Sequence, residues 1–147
     1  MKQYDGSKII DHDGDKRPKS GDVYFGTFIG CPHEIGERVH ISANCSFVGV
    51  GKLYLGDDTT ISPGVIIYTS SPNLDERVIG NKYTSGFEVV AADVHIGNNV
   101  FIGAGTVIHQ GVNICDRVIV GAHSFVNRDI DEPGIYVGAP VKKIKGF

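Results

Sequence analysis

The chain has 147 residues, of which 41% are hydrophobic and 21% are charged, and its formal net charge is −3. This length suits one domain, and the composition is too apolar for a disordered chain. The charge indicates no basic surface for nucleic acid or an anionic membrane, and no apolar run approaches the roughly 20 residues of a membrane span. The first residues lack the apolar core of a secretory signal, which predicts a cytoplasmic location.

The residue types favour β-structure. Gly occurs 20 times and Leu only three times, while Ile and Val are abundant. β-branched residues with frequent Gly are typical of strands separated by turns, whereas helical domains use more Leu and Ala. The cysteines, Cys31, Cys45 and Cys115, are odd in number and form no CxxC motif. Their pattern argues against a disulfide framework and against a structural zinc site.

Residues 1–22 are polar and charged, and we expect them to form an N-terminal arm or cap before a repetitive domain at 23–147. In that domain an apolar residue recurs at every sixth position, and Gly often follows it. The first run slips by two positions at the sequence KLYLGDD and then resumes. Its members are Ile29, Ile35, Ile41, Phe47, Leu55, Ile61 and Ile67.

A second run keeps the same period over the C-terminal half. Its aliphatic positions are Ile96, Ile102, Ile108, Ile114, Val120 and Val126. Four positions after an aliphatic residue stands a small or β-branched one, at Val100, Thr106, Val112, Val118 and Ser124. Two independent runs make chance a poor explanation for this repeat.

A six-residue period fits neither an α-helix nor a simple alternating strand. It fits a short strand followed by a sharp turn, with each aliphatic side chain pointing into a shared interior. Gly, Asn and Asp tolerate the positive φ of such turns, as in GDD at 56–58 and GNN at 97–99. Three units would close a triangular coil of about 18 residues, stacked about 4.8 Å from the next. The predicted fold is all-β, a single parallel β-helix of hexapeptide coils.

Two segments depart from the repeat. Residues 70–93 form a loop that is too long for a simple connector, and long loops in compact domains are commonly functional. After Val126 the chain leaves the repeat and ends in a short extension that contains Lys142, Lys143 and Lys145. We therefore expect the loop to carry functional residues on a repetitive scaffold.

Three stretches make the sequence resemble the hexapeptide-repeat acyltransferases: ISPGVIIYT, IGNNVFIGAGTVIHQGV and the closing VGAPVKKIK. Within that family the chain looks most like the galactoside and maltose O-acetyltransferases and the short acetyltransferases of surface-polysaccharide pathways. The resemblance covers about residues 23–145 and implies that the β-helix is left-handed. It also implies a homotrimer in which acetyl-CoA and a saccharide acceptor meet in clefts between subunits.

The resemblance carries the family's catalytic residues over unevenly. The galactoside branch has an Asn before the loop that contacts the reacting group, and Asn44 in ISANCSF occupies that place. The same branch has its base in a THP or GHP motif, where this chain reads YTSSPN and has Ser71 in place of the His. A related group without that His reads VHIAAYCSLIGAG, and its own His matches His40 in VHISANCSFVGVG. The resemblance thus implies that His40 and Asn44 are catalytic.

A neutral His suits base catalysis, because its ordinary pKa of about 6.5 leaves it mostly unprotonated at neutral pH. His40 is either this base or an exposed surface residue, and His95 at the end of the loop is an outside candidate. His109 and His123 either contact the cofactor or fill a subunit interface. No two His residues are five apart, the spacing that zinc-binding γ-class carbonic anhydrases use on this solenoid, so no metal is expected.

The resemblance implies that the pantetheine arm of CoA lies along small residues at coil corners, which here are Gly103, Ala104, Gly121 and Ala122. Tight turns alone also require small residues, and the two explanations are compatible. Lys142 and Lys143 either attract the CoA phosphates or form a solvated basic tail. The residues expected to bind the acceptor lie in or just before the loop and are Tyr68, Ser71 and Arg77.

These features predict an acetyltransferase that moves the acetyl group of acetyl-CoA to a saccharide hydroxyl in surface-polysaccharide biosynthesis. Two alternatives stay open. A neutral amine needs less help from a base than a hydroxyl does, so the missing His at Ser71 adds weight to N-acetylation of a nucleotide-linked amino sugar. A solenoid without catalysis that only binds or scaffolds partners is the other possibility.

Overall fold

The computed structural model describes residues 23, 24, 26–80 and 88–147. They form a parallel β-solenoid of about five turns, which confirms the predicted all-β, parallel β-helix. The predicted arm at 1–22 lies outside the described residues. Among the residues that are described, no helix has the length and apolar character needed to span a membrane.

Short strands alternate with turns along the described chain, and a single π-helical turn occupies Asp75–Ile79 there. The strands in chain order are β1 Phe28–Gly30, β2 His33–Ile35, β3 His40–Ile41, β4 Ser46–Val48, β5 Leu53–Leu55, β6 Thr60–Ile61, β7 Ile66–Tyr68, β8 Ser70–Pro72, β9 Val89–Ala91, β10 Val94–Ile96, β11 Phe101–Ile102, β12 Val107–Ile108, β13 Asn113–Ile114, β14 Val118–Val120, β15 Phe125–Val126, β16 Gly134–Val137 and β17 Lys142–Gly146.

The strands line three faces of a triangular coil. Face one carries β1, β4, β7, β12 and β15, face two carries β2, β5, β10 and β13, and face three carries β3, β6, β11, β14 and β16. Within each face the strands pair in parallel with strands one turn away. We call the turns from face one to face two corner 1, those from face two to face three corner 2, and those from face three to the next face one corner 3.

Both columns of the predicted repeat point into the core. The six aliphatic residues of the second run, Ile96 to Val126, are at most 3% exposed. The β-branched and small residues that alternate with them are at most 2% exposed. Their buried hydroxyl groups have partners, since Thr106 Oγ1 donates to the carbonyl of Gly121 at 3.1 Å. The first run behaves in the same way except at Ile35, which is only partly buried.

The turns at corner 2 follow the predicted chemistry. Asp58 and Asn99, the last residues of GDD and GNN, have φ angles of 55° and 54°, which confirms the positive φ predicted there. The glycines that begin these turns are required for another reason. A Cβ atom on Gly56 would lie 2.6 Å from the carbonyl carbon of Gly97 one turn away, so the two backbones touch.

Two antiparallel pairings interrupt the parallel pattern. β8 and β9, at the start and end of the loop, pair with each other as a two-stranded sheet separate from the three faces. In the C-terminal extension β17 folds back on β16, and Val141 just before it is buried. The extension thereby covers the last strand of face three, which would otherwise present unpaired backbone groups.

Candidate functional site

The long loop leaves the solenoid at corner 1, directly after Tyr68. The buried Thr69 anchors its base, because the N–H of Ala92 donates to the Thr69 carbonyl at 3.0 Å where the loop returns. Glycines in the neighbouring turns make room for this base. A Cβ atom on Gly51 would lie 2.6 Å from the Thr69 carbonyl oxygen, and one on Gly111 would lie 3.3 Å from Ala92 Cβ. The loop therefore rises from a tightly packed point of corner 1.

A small aromatic cluster lies beside this base. The ring of His109 contacts the ring of Tyr68 edge-on, with centroids 5.0 Å apart and an angle of 65° between the planes. Phe125 on the next turn contributes a third ring, 6.2 Å from that of His109. Tyr68 and His109 meet because the residues before them, Ile67 and Ile108, pair with each other in adjacent turns. All three aromatic residues are half-buried.

The ring of His109 is held by a hydrogen bond. Its Nδ1 atom lies 2.9 Å from the backbone carbonyl oxygen of Gln110. A carbonyl only accepts, so Nδ1 carries the proton, and in the neutral ring Nε2 is left as an acceptor. The Oε1 atom of Gln110 is shielded from solvent and has no hydrogen-bond partner within the described part of the chain.

The residues predicted to bind an acceptor lie at the loop base or on the loop. Burial raises the pKa of the Tyr68 hydroxyl above its ordinary value, so the phenol stays protonated and can donate a hydrogen bond at neutral pH. Ser71 lies in β8 opposite Val90. Arg77 lies on the π-helical turn, where its N–H donates to the carbonyl of Asn73 at 2.9 Å. Tyr68 and Ser71 are thus in neighbouring strands at the loop base, and Arg77 is carried by the loop itself.

The residues predicted to be catalytic lie elsewhere on the coil. His40 is half-buried on face three, where its ring contacts that of Tyr24 with centroids 4.9 Å apart. Asn44 is exposed at corner 3 and has a φ angle of 59°. Asn and Gly are the residues that take this left-handed conformation most readily, so the turn itself favours Asn44. A single copy does not bring His40 and Asn44 together with the acceptor residues at corner 1.

The small residues predicted to lie along CoA are also at corner 3. Gly103 is buried beneath the next turn, and a Cβ atom on it would lie 2.5 Å from the backbone nitrogen of Ala122. Stacking of the coils is therefore enough to require Gly103, whereas Ala122 is exposed and Gly121 and Ala104 are half-buried. His123 closes the same turn with a φ angle of 54°, and its ring covers Gly105.

The C-terminal lysines line a cavity of about 390 Å³ beside β16 and β17. Lys142 and Lys143 form part of its wall together with Arg128, Asp129 and the buried Tyr136. Lys143 is paired with Glu132, and this hydrogen bond raises the pKa of the Lys143 ammonium group above its ordinary value. The lining therefore carries charges of both signs, with Arg128, Lys142 and Lys143 against Asp129, and its excess of positive charge can attract an anionic ligand.

In the described residues, His95 and His33 pack against other parts of the coil. His95 on face two stacks flat on Tyr54, with ring centroids 4.4 Å apart. The Nζ atom of Lys52 lies over the ring of Tyr54. Nδ1 of the buried His33 contacts the Cys31 carbonyl at 2.9 Å. Within the described ranges, no group of three His, Cys, Asp or Glu residues is arranged to hold a metal ion.

Sequence reasoning did not identify the cluster of His109 and Tyr68. The signal was present in the repeat, because both residues directly follow an inward aliphatic on face one, Ile108 and Ile67. The loop between them hides this equivalence when the sequence is read along the chain. Aligning Ile67 with Ile108, which pair with each other, places the two side chains in adjacent turns.

The sequence and the fold of this chain are similar to those of known proteins. A family model described as "Bacterial transferase hexapeptide (six repeats)" matches residues 93–128. The crystal structure of a maltose O-acetyltransferase from Clostridium difficile 630 matches with a TM-score of 0.77 and 32% identity, covering 89% of this chain and 68% of that one. The chain belongs to the hexapeptide-repeat acyltransferase family. This finding confirms the resemblance noted in the sequence.

Two further relatives differ in the reaction that their names give. The galactoside O-acetyltransferase of Escherichia coli K12 is 30% identical over 123 residues, which are 84% of this chain and 57% of that protein. A variant of AntD, an N-acyltransferase from Bacillus cereus solved with dTDP-4-amino-4,6-dideoxyglucose and Coenzyme A, matches with a TM-score of 0.78 and 28% identity, covering 88% of this chain and 71% of that one. This chain spans only 51% to 59% of the length of curated proteins to which it is similar.

Proposed function

We propose that this protein is an acetyl-CoA-dependent acetyltransferase that acylates a hydroxyl group of a saccharide, in surface-polysaccharide biosynthesis. The observation that carries the proposal is the likeness of this solenoid to a maltose O-acetyltransferase, with a TM-score of 0.77 and 32% identity. Transfer from a thioester to an alcohol needs a group that removes the hydroxyl proton while the new bond forms, and imidazole suits this step.

The cofactor would lie between corner 3 and the C-terminal cavity. Ala104, Gly121 and Ala122 leave the backbone at corner 3 accessible, so a thin pantetheine chain can approach it. Lys142 and Lys143, with Arg128, would attract the phosphate groups of CoA. The sequence assigns the base to His40 and the binding of the acceptor or the tetrahedral intermediate to Asn44, and this assignment is a prediction from the resemblance.

N-acylation of a nucleotide-linked amino sugar is the second candidate function. Two observations favour it: the absence of the loop histidine at Ser71, and the match to AntD with its bound amino sugar and Coenzyme A. A neutral amine is already nucleophilic and loses its proton after attack, so it places a smaller demand on the base. The two functions differ only in the acceptor, and one assay separates them.

A homotrimer is part of the proposal. Phe101 and Ile119 are paired neighbours on face three, and they expose 43% and 36% of their surfaces. Ile66 on face one exposes 42%. These apolar side chains flank corner 3 from both sides, as expected when the corner inserts between copies of the same chain around a three-fold axis. Such an assembly would also bring His40 and Asn44 of one copy towards the loop of another.

The test is acetyl transfer with the reaction product identified. The protein is incubated with acetyl-CoA and, separately, with maltose, methyl β-galactoside and dTDP-4-amino-4,6-dideoxyglucose, and acetylated products are detected by mass spectrometry. Mild alkaline hydroxylamine removes the acetyl group from an ester and leaves it on an amide. A product that hydroxylamine cleaves supports acylation of a saccharide hydroxyl, and a resistant product supports acylation of the amino sugar. Absence of both product and CoA binding supports a scaffold.

A cytoplasmic location belongs to the same proposal, because acetyl-CoA must be supplied there.

A further inference from the structure

We propose that His109 is the general base of the acyl transfer, held in its active tautomer by the carbonyl of Gln110 and placed by the ring of Tyr68 at the foot of the loop. The inference rests on the proposed function. It assigns to His109 the role that the family resemblance predicts for His40.

The imidazole ring of His109 is held in one tautomer. Nδ1 of His109 lies 2.9 Å from the Gln110 carbonyl oxygen, which can only accept a hydrogen bond. The proton of the neutral imidazole is therefore on Nδ1, and Nε2 keeps its lone pair. This is the tautomer that a base needs, and the hydrogen bond also stabilises the imidazolium that forms when Nε2 takes a proton.

His109 lies close to the base of the loop. His109 lies in the turn directly next to the one from which the loop departs, and its ring contacts Tyr68, the last residue before the loop. Both residues are half-buried, so part of each is accessible to a ligand. The phenol of Tyr68 can donate a hydrogen bond to the acceptor or to the oxyanion beside the base. Ser71 and Arg77 belong to the same loop.

His40, His95 and His33 differ from His109 in the hydrogen bonding, the packing or the accessibility of the ring. In the residues that the structure describes, the ring contact of His40 is with Tyr24, and no hydrogen bond fixes its tautomer. The ring of His95 is stacked on Tyr54. His33 has a hydrogen bond like that of His109, but only 7% of its surface is exposed. His109 combines a fixed tautomer with access, and its neighbours also carry the predicted acceptor residues.

The acceptor oxygen or nitrogen attacks the thioester carbonyl carbon, and its proton passes to Nε2 of His109. The tetrahedral intermediate collapses with cleavage of the carbon–sulfur bond, and the electron pair leaves with sulfur. The imidazolium of His109 then returns the proton to the CoA thiolate, so free CoA and the acetylated acceptor are released and the neutral ring is restored.

The experiment compares His109→Asn with His40→Asn, which makes the same exchange on face three. The Asn amide can keep the hydrogen bond to the Gln110 carbonyl but has no basic nitrogen. Acetyl transfer is measured with the three acceptors named above. In His109→Asn we expect kcat to fall by about 10²- to 10⁴-fold, and the acidic limb of the pH profile of kcat to disappear. The stabilisation of the folded protein by acetyl-CoA should be retained.

Retained activity in His109→Asn, or loss of activity confined to His40→Asn, overturns the inference and leaves the proposed function intact. A second measurement does not depend on the acceptor. The ¹⁵N shifts of the imidazole nitrogens, assigned by their loss in His109→Asn, report the tautomer of His109 directly. Protonated Nδ1 at mildly alkaline pH is the expected result, and a ring protonated on Nε2 contradicts the inference even if none of the three acceptors is used by the wild-type protein.

Discussion

The backbone nitrogen of Ala122 lies 2.5 Å from the point where a side chain on Gly103 would begin. The two residues lie in successive turns of corner 3, with Ala122 one position after Gly121, the residue equivalent to Gly103, and each turn of the solenoid rests directly on the one before. A methyl group cannot fit at that distance, so either the turn must shift or the coils must separate. Stacking of the coils therefore requires glycine at position 103 even without a bound ligand.

Replacing Gly103 with Ala should lower the free energy of unfolding by about 1–3 kcal/mol, because the added methyl overpacks a contact between two backbones. Denaturant unfolding measures the loss. Ala122→Ser is the matched control, since Ala122 is exposed in the adjacent turn and a hydroxyl there meets solvent. If Gly103→Ala kept its stability but lost affinity for acetyl-CoA, contact with the cofactor would be the reason for the glycine.

Charge on face three should separate the subunits of the proposed trimer. Phe101→Glu adds a carboxylate to the apolar pair with Ile119, and we expect light scattering to give a mass lower than that of the wild-type assembly with circular dichroism unchanged. Val50→Glu is the control, because Val50 is 66% exposed and lies at corner 1. An unchanged mass in Phe101→Glu would place the interface elsewhere.

The ion pair of Arg38 and Asp58 predicts a dependence of stability on pH. Asp58 accepts two hydrogen bonds, from Nε at 2.6 Å and from Nη2 at 2.7 Å, and they hold the pKa of the Asp58 carboxyl below its ordinary value. A carboxyl whose pKa is lower in the folded state stabilises the fold above its unfolded pKa, and the contribution is lost as the pH falls through the folded pKa.

Asp58→Asn should therefore be less stable than the wild type at neutral pH, and the difference should vanish in strong acid. Asn keeps the left-handed conformation that Asp58 adopts, with φ at 55°, so the comparison isolates the charge. Thermal midpoints of both proteins across the acidic range are the measurement. A difference that stays constant with pH would assign the effect to the turn and not to the ion pair.

The three thiols should react in a fixed order. Burial raises the pKa of Cys31 to about 12 and also raises that of Cys45, and both residues are 0% exposed. Cys115 is half-buried, so iodoacetamide should label it first in the native protein and reach the others only after unfolding. Mass spectrometry after proteolysis identifies the labelled site. Labelling of native Cys115→Ser at the other cysteines would show that the core opens on the time scale of the reaction.

The scaffold could be predicted because its information is periodic. Each inward position of the second run, from Ile96 to Val126, needs an aliphatic side chain, so the six-residue period alone predicts which residues form the core. The turn chemistry of Asp58 and Asn99 is likewise local. The family resemblance adds what periodicity does not supply, the reaction class and the cofactor.

The site could be predicted only in part, because it depends on relations between turns. His109 and Tyr68 are separated by the whole loop in sequence and are neighbours in the coil. The separation of Asn44 from the loop is visible only once the corners are assigned. The resemblance predicts His40 and Asn44 from short motifs, and a short motif does not indicate which corner of this chain lies next to the loop.

The central claim is that the solenoid binds an acyl-CoA thioester, and the thermal unfolding midpoint with and without acetyl-CoA tests it most directly. At about 100 times the dissociation constant, binding to the native state adds about 2.7 kcal/mol of stability, which raises the midpoint by several degrees. Adenosine triphosphate at the same concentration controls for general attraction of phosphates to the C-terminal lysines. We expect a clear increase with acetyl-CoA and a smaller one with the control. An unchanged midpoint at millimolar acetyl-CoA would contradict the account and favour a scaffold without catalysis.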